Sequence, residues 1–380
     1  MFRSSIRKFS LEGHTFQNNF QHGRIKTLNT ASHRYISSSN FFLSSNQRDE
    51  KAKYVKETFE ENKTEIIDDC VSPFPSKQLY VTLESAFKEK AKKDYMLYSN
   101  DNTSAIKFLN DRFKKGETVP YGYSLIYCTP YSPEYELGSD GFDNYHAPLF
   151  PDKEGGDSKT MTELFKRRMW VGGDIEFRND RPMKFGEPVK LVERIDRVRI
   201  LGGKKESLSD LTIVLSNNKE YSDLNTGEPI ITENRRIFYI NETNESSSKD
   251  APKNVKEQPD NSTLANISNI TNFRVSALTF NSHKIHYDPS YCKEVENYDD
   301  VIVQGPVLFE LAVQYWRNNF PDLKIKKISY KIPSSVLVNQ DLKVCYRKRD
   351  ESSYELWIEN INNFNSLCFD STITLDISSH

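Results

Sequence analysis

Asn281, His283 and His286 fall within the run SALTFNSHKIHYD, residues 276–288, and an apolar stretch opened by Gly305-Pro306 follows shortly after. An imidazole can take up and return a proton near neutral pH, and a carboxamide can fix an oxygen by hydrogen bonding but cannot ionise. A helix that starts at Gly305 would turn free backbone N–H groups and a partial positive charge towards any oxygen that gains negative charge. The combination points to acid/base chemistry on a thioester. His283 and His286 are three apart and would share a face if their turn is helical, as metal ligands do. No further His or Cys stands at finger-like spacing, so neither a metal nor a cofactor is expected, and a paired acid/base or hydrogen-bonding role is favoured. The plainer alternative is that the imidazoles only bond to backbone in a wet loop.

The run 276–288 resembles the active-site signature of the MaoC-like, (R)-specific enoyl-thioester hydratases and dehydratases, Asp-x-Asn-x-x-His, and within them the fungal mitochondrial type 2 dehydratases and bacterial mesaconyl-CoA hydratases. Aligned on the last histidine, Asn281 stands where the family has Asp, His283 where it has Asn, and His286 on the catalytic His. The change at 281 removes a group that could carry a proton, so a two-base mechanism is not expected to operate unaltered. Upstream, residues 123–138 (YSLIYCTPYSPEYELG), Asp140-Gly141, RRMWVGG at 167–173, Glu176-Phe177 and Gly227-Glu228-Pro229 resemble the first repeat of the same proteins. The resemblance covers most of residues 72–376. It implies an α+β double hotdog, two repeats in which an antiparallel sheet wraps a central helix. It also implies His286 as the base, Asn281 as the group that orients the leaving oxygen, His283 in support, and the Gly305 N–H as the thioester oxygen's partner. Gln304 stands where many relatives have His.

The elements that must carry these residues are partly legible from pattern alone. Residues 78–92 place Leu79, Leu83, Ala86 and Phe87 on one helical stripe, and strand-like runs follow at 174–177, 188–200, 211–216 and 235–240. After residue 266 come the histidine segment, read as a loop, a helix over 306–319 with Leu308, Leu311, Ala312 and Tyr315 on its buried stripe, and strands at 325–332, 342–347, 354–359 and 372–377. Residues 241–266 are polar and Pro-containing, the composition of a flexible linker. The expected organisation is a leader over 1–45, a first hotdog over 65–240 that holds acyl chain and has no catalytic set of its own, the linker, and a catalytic hotdog over 267–380. The two halves show no repeat at the level of letters.

With 380 residues, 36% hydrophobic, the chain can build two cores. A net charge of -2 gives no general attraction to nucleic acid or anionic lipid, and no run is apolar enough to span a membrane. Five widely spaced cysteines without a CxxC pair suit a reducing compartment; Cys292 has no evident base beside it. Six basic residues against the single acid Glu12 in the first 45 positions give the composition of a mitochondrial transit peptide. With the resemblance, this leads to a (3R)-3-hydroxyacyl-[acyl-carrier-protein] dehydratase of the mitochondrial matrix, acting in type II fatty acid synthesis. Two alternatives remain: a CoA-thioester hydratase for a short branched or dicarboxylic acyl group, and a non-catalytic thioester-binding protein. The expected partner is the acyl carrier protein; Arg317, Lys324, Lys326 and Lys327 are basic residues that could meet its acidic surface, although a plain solvated face is the favoured reading of them, and homodimerisation is left open.

Overall fold

The structure is a computed structural model and describes residues 45–62, 64–88, 103–144, 147–151, 161–202, 211–241 and 256–377. Residues 1–44 of the expected leader and 242–255 of the expected linker lie outside the described residues. In chain order the elements are α1 (Ser45–Asn62), β1 (Thr64–Cys70), α2 (Pro73–Glu84), α3 (Thr103–Arg112), β2 (Leu149–Pro151), β3 (Met161–Glu163), β4 (Arg167–Phe177), β5 (Pro188–Gly202), β6 (Leu211–Asp223) and β7 (Pro229–Ile240). They continue with β8 (Asn261–Asn266), α4 (Asn269–Leu278), α5 (Pro289–Glu294), α6 (Gly305–Asn319), β9 (Ile325–Lys331), β10 (Asp341–Asp350), β11 (Ser353–Asn360) and β12 (Ser366–Leu375).

Ten strands form one antiparallel sheet in the order β1-β5-β6-β7-β4-β9-β12-β11-β10-β8. The repeat invisible in the letters is explicit here. Each half has an edge strand, helices, a central strand and then a three-stranded meander, and the halves meet where β4 pairs β9. Ile175 faces Ile328 at the centre of that seam. The register of β4 shifts between Trp170 and Gly172, and a Cβ on Gly173 would sit 2.5 Å from the Asn234 carbonyl oxygen and 2.6 Å from the Tyr330 hydroxyl. The glycine pair therefore serves as the bulge and close approach that its composition suggests.

Helix α6 is buried on every side from Val307 to Arg317, not along one stripe, because both halves contribute to the core around it. Val55 and Phe59 of α1 cover a second cluster with Ile195, Val198, Ile213, Leu215 and Tyr239 of the first half's sheet.

Several boundaries differ from the sequence expectation. α2 begins earlier than residue 78, at Pro73, because the Ser72 side chain caps it by accepting from the Phe74 N–H, with proline inside the first turn. It ends at Glu84, so Ala86 and Phe87 are buried beyond it. Residues 261–266 are not linker but strand β8. Polar by composition, they are held by ladder bonds to β10 and by the burial of Ala265 alone. Arg317 faces inward rather than towards a partner, donating to the Tyr121 carbonyl at 3.0 Å. Lys327 pairs with Glu176 at 2.8 Å, while Lys324 and Lys326 are exposed.

The interior of α6 holds one expensive group. Both carboxyl oxygens of Glu310 are buried without a hydrogen-bond partner, and burial pushes its pKa up to about 8, against a smaller pull from Arg317. The native state then binds a proton that the unfolded chain has lost, so stability falls as pH rises from the ordinary Glu value towards 8. Glu310→Gln is expected to flatten this dependence and to stabilise the fold by about 1–3 kcal/mol at pH 8.5. Thermal melts of both proteins between pH 5 and 8.5 check it; a parallel pH dependence in the two would contradict it.

Candidate active site

The histidine segment begins inside a helix, since α4 runs to Leu278, and leaves it through a tight cap. Phe280 adopts φ 51°, in the left-handed region, while Asn281 N–H donates to the Ser276 carbonyl at 2.9 Å and Phe280 N–H to the Ala277 carbonyl at 3.3 Å. This is the paired-bond helix ending at which glycine usually stands, here with an exposed phenylalanine. A side chain in that conformation costs about 1 kcal/mol, and the turn aims Asn281 back at the start of α6.

Asn281 then holds the next turn. Its carbonyl oxygen accepts from the His283 N–H at 3.0 Å, and its amide nitrogen lies 3.4 Å from Gln304 Oε1. The amide keeps an N–H with which to donate to a neighbouring oxygen, and it cannot ionise.

The two imidazoles are brought together edge to face, ring centroids 5.4 Å apart. His286 Nδ1 is 2.9 Å from the Ile302 carbonyl oxygen, a partner that can only accept. Nδ1 therefore carries the proton, and Nε2 keeps its lone pair. Burial pushes the His286 pKa down to about 4, with the Ile302 carbonyl and Asp140 working the other way, so the ring is neutral at physiological pH. His283 is buried, and burial lowers its pKa further, to about 3.

Gln304 caps α6 from a fully buried position rather than reaching into the site. Its backbone N–H donates to Asn272 Oδ1 at 3.1 Å, and its side-chain amide donates to the Asn272 carbonyl and to Ser276 Oγ. Asn272 also donates to the carbonyls of His286 and Ile302, at 2.9 and 3.0 Å, so one amide ties together the histidine turn and the helix start. Nothing in the sequence separates Asn272 from other surface-type asparagines. The Gly305 N–H has no acceptor among the described residues, and no side chain caps this helix end. A Cβ at Gly305 would meet Ile332 Cδ1 at 2.7 Å, with Trp170 of the first half next to it.

The first half also reaches the imidazoles directly. Asp140 Oδ2 lies 3.3 Å from His283 Nε2 and 2.7 Å from Arg168 Nη2. The Arg168 guanidinium stacks on Phe142 at 4.4 Å, and Phe142 meets the His283 ring edge-on. Burial works to raise the Asp140 pKa, but Arg168, His283 and the Phe142 N–H outweigh it and keep the carboxyl ionised. The backbones interlock as well. Lys284 N–H donates to the Asp140 carbonyl at 2.8 Å, Ser282 Oγ to the Gly141 carbonyl at 2.6 Å, and Lys284 Nζ to the Ser139 carbonyl at 2.9 Å. Asp140 and Arg168 lie in sequence motifs that signal the fold, yet their spacing gives no hint of contact with His283.

Cys292 is buried, its thiol donates to the Ile285 carbonyl at 3.2 Å, and burial pushes its pKa up to about 11, which leaves it unreactive. Among the described residues no group of three His, Cys, Asp or Glu is placed to hold a metal ion, and no helix is long and apolar enough to cross a membrane. An apolar cleft in the first half, lined by Tyr121, Phe177, Met183, Ile230 and Ile231, is lined by none of the sequence-predicted site residues.

A sheet built of two helix-plus-meander repeats, with a neutral imidazole pair at their junction, is a double hotdog, and what it is similar to marks it as a hydro-lyase. The chain belongs to the hydroxyacyl-thioester dehydratase type 2 family, whose pattern it matches over residues 122–338. It is 26% identical to the mitochondrial hydroxyacyl-thioester dehydratase type 2 of Schizosaccharomyces pombe over 259 residues, 63% of this chain and 79% of that one. It is also 26% identical to the mesaconyl-C(4)-CoA hydratase of Chloroflexus aurantiacus over 204 residues, 53% of this chain and 65% of the other. Among solved structures, a MaoC-like dehydratase from Phytophthora capsici superposes with a TM-score of 0.51 at 10% identity, covering 84% of this chain and 98% of that one, a likeness of fold.

Gly141 has φ +79°, and a Cβ there would lie 2.5 Å from the Ser282 carbonyl oxygen. Gly141→Ala is expected to cost about 1 kcal/mol or more in stability and to push the histidine turn away from Asp140, with turnover down by at least about tenfold. Circular-dichroism melts and steady-state rates check both; an alanine variant with unaltered rates would show that this docking is dispensable.

Proposed function

We propose that the protein is a (3R)-3-hydroxyacyl-[acyl-carrier-protein] dehydratase of mitochondrial fatty acid synthesis, with His286 as its base. The observation that carries this reading is the tautomer of His286. Its Nδ1 proton is committed to the Ile302 carbonyl, and its Nε2 lone pair is left for chemistry beside a helix start with a free N–H. Removal of the poorly acidic proton α to the thioester becomes feasible only if the resulting enolate is stabilised, and the Gly305 N–H together with the helix dipole serves that need. His286 Nε2 takes the α-proton, and the C–H electron pair becomes the enolate. As the enolate collapses, the C3–O bond breaks, and the same proton passes from the imidazolium to the departing hydroxide, which leaves as water. The Asn281 amide donates to the 3-hydroxyl oxygen and orients it, a role that needs no ionisation. One base thus performs both transfers, in keeping with the absence of a carboxylate at 281.

The acyl chain lies against the first half, entering past Trp170 beside Gly305, and the second half carries the chemistry. The basic composition of residues 1–45 and the mitochondrial label of the Schizosaccharomyces pombe relative support the location and the carrier-bound substrate. Lys324 and Lys326, exposed just beyond α6, are the cations that would meet an acidic carrier. The similarity to a mesaconyl-C(4)-CoA hydratase supports a second reading, hydration of a short CoA thioester by the same groups.

Residues 46–380 assayed with (3R)-3-hydroxyacyl thioesters on carrier protein and on CoA decide between these. Dehydration with preference for the carrier is expected, His286→Ala should lower turnover by at least about 1,000-fold, and Asn281→Ala by about 10–100-fold. No turnover on either carrier would overturn the enzymatic reading, and preference for CoA would select the second. Because the neutral form of His286 persists down to about pH 4, kcat/KM should be flat from pH 8 to 5.5, with loss only at more acid values. An acid limb near pH 6.5 would show that the His286 pKa is not depressed in the free enzyme.

A further inference from the structure

We propose that Asp140, carried by the first half, is the positioning carboxylate of the active site, acting through His283 to orient the imidazole pair and to balance the positive charge that His286 acquires in turnover. The inference rests on the reading of the protein as a thioester dehydratase and adds to it the source of the negative charge that position 281 lacks.

The geometry carries the argument. Asp140 is buried, 6% exposed, in a place where an ionised carboxyl is costly unless it is paired. Arg168 at 2.7 Å supplies the neutralising charge, and the Phe142 N–H donates to Oδ1 at 3.0 Å. Oδ2 also lies 3.3 Å from His283 Nε2, a contact at which the carboxylate favours the proton on Nε2 and leaves Nδ1 unprotonated. A ring fixed in this way cannot donate a proton from Nδ1. It acts instead as an acceptor and spacer, packed edge to face on His286. The chain Arg168, Asp140, His283, His286 therefore runs from the first half's central strand to the base. A carboxylate held by an arginine on one side and an imidazole on the other has no role in core packing that an apolar residue would not fill at lower cost.

When His286 becomes an imidazolium it does so within the field of this carboxylate. The other groups facing Asp140 are Arg168 from β4, Tyr239 from β7 and Tyr291 from α5, and the two tyrosines have pKa values raised by burial and stay neutral. Asp140 is thus the anion that acts on His286, and its removal leaves Arg168 as an uncompensated cation near the pair.

The test is a kinetic cycle on the mature chain with the thioester that the wild type turns over. Asp140→Asn is expected to lower kcat by about 100-fold with KM within about threefold of wild type, and Asp140→Glu to recover at least about tenfold of the loss. His283→Gln should lower kcat comparably, and the double variant Asp140→Asn with His283→Gln should be no worse than either single one, as expected for groups that act in series. A kcat for Asp140→Asn near the wild-type value, a loss confined to KM, or losses that multiply in the double variant would overturn the proposal while leaving the dehydratase reading intact. If Asp140→Asn does not fold because Arg168 is left unpaired, His283→Gln, which keeps that ion pair, decides alone: an unchanged kcat overturns the proposal. A wild type inactive on every thioester would instead remove the reading on which the proposal stands.

Discussion

Everything in the site depends on the antiparallel pairing of β4 with β9. Each half alone would leave its central strand as an open edge, with a row of unpaired N–H and C=O groups. Pairing the two strands satisfies both rows and produces one ten-stranded sheet around a shared core. It also fixes distances that no flexible tether could. Arg167, at the start of β4, reaches across to the second half, and Arg168 next to it holds the first-half segment that does. Arg167 makes a buried 2.7 Å ion pair with Glu296, and Arg168 orders Asp140 beside His283. The glycines at 172 and 173 let the strand pass between its neighbours at the bulge, so the strand that makes the seam also carries Arg168, which holds Asp140 beside the site.

The site's electrostatics follow from burial more than from any single charge. His283, which is buried, and His286, which is half-buried, are both neutral; a backbone carbonyl fixes the proton of His286, and the Asp140 carboxylate lies 3.3 Å from His283 Nε2. Neutrality has a cost in acid, because the unfolded chain binds protons that the native state refuses. The histidines' contribution to stability is complete above the ordinary value near 6.5 and falls as pH drops from there towards 4. A single low-pKa base is a poor proton acceptor in isolation, so its use demands strong stabilisation of the enolate. That places the burden on the Gly305 N–H and on whatever negative charge faces the imidazolium.

Much of this was legible in the sequence, for identifiable reasons. α6 announced itself by its apolar period and its Gly-Pro start, and the strands of both halves by alternation, because burial of one face imposes those periods. The family followed from the run 276–288 and the upstream motifs, which constrain backbone and site together. What stayed hidden was non-local. β1 and β8 are edge strands whose pairing partners, not their own composition, make them strands; Asn261–Asn266 reads as linker because a single buried alanine gives no pattern. The burial of Arg317 depends on Tyr121, almost two hundred residues away. The left-handed Phe280 breaks a local rule, and a local reading would have ended α4 at a glycine that is not there.

That same rule-breaking turn bears on why the chain spreads one site over two repeats. A strained helix ending holds its conformation only if later contacts over-determine it, and here those contacts come from the other half. The Ser139–Gly141 backbone accepts from Ser282 and Lys284, and Asp140 secures His283. A repeat standing alone would have to hold Asn281 and both histidines by its own loop, against the pull of the Phe280 strain and the cost of burying His283. By turning a carboxylate of the first repeat into the anchor of the second, the fold stabilises the turn and supplies the charge with one group. In the proposed mechanism position 281 is then free to be a carboxamide, because the tasks assigned to it, to hold the His283 N–H and to donate to an oxygen, need no ionisation.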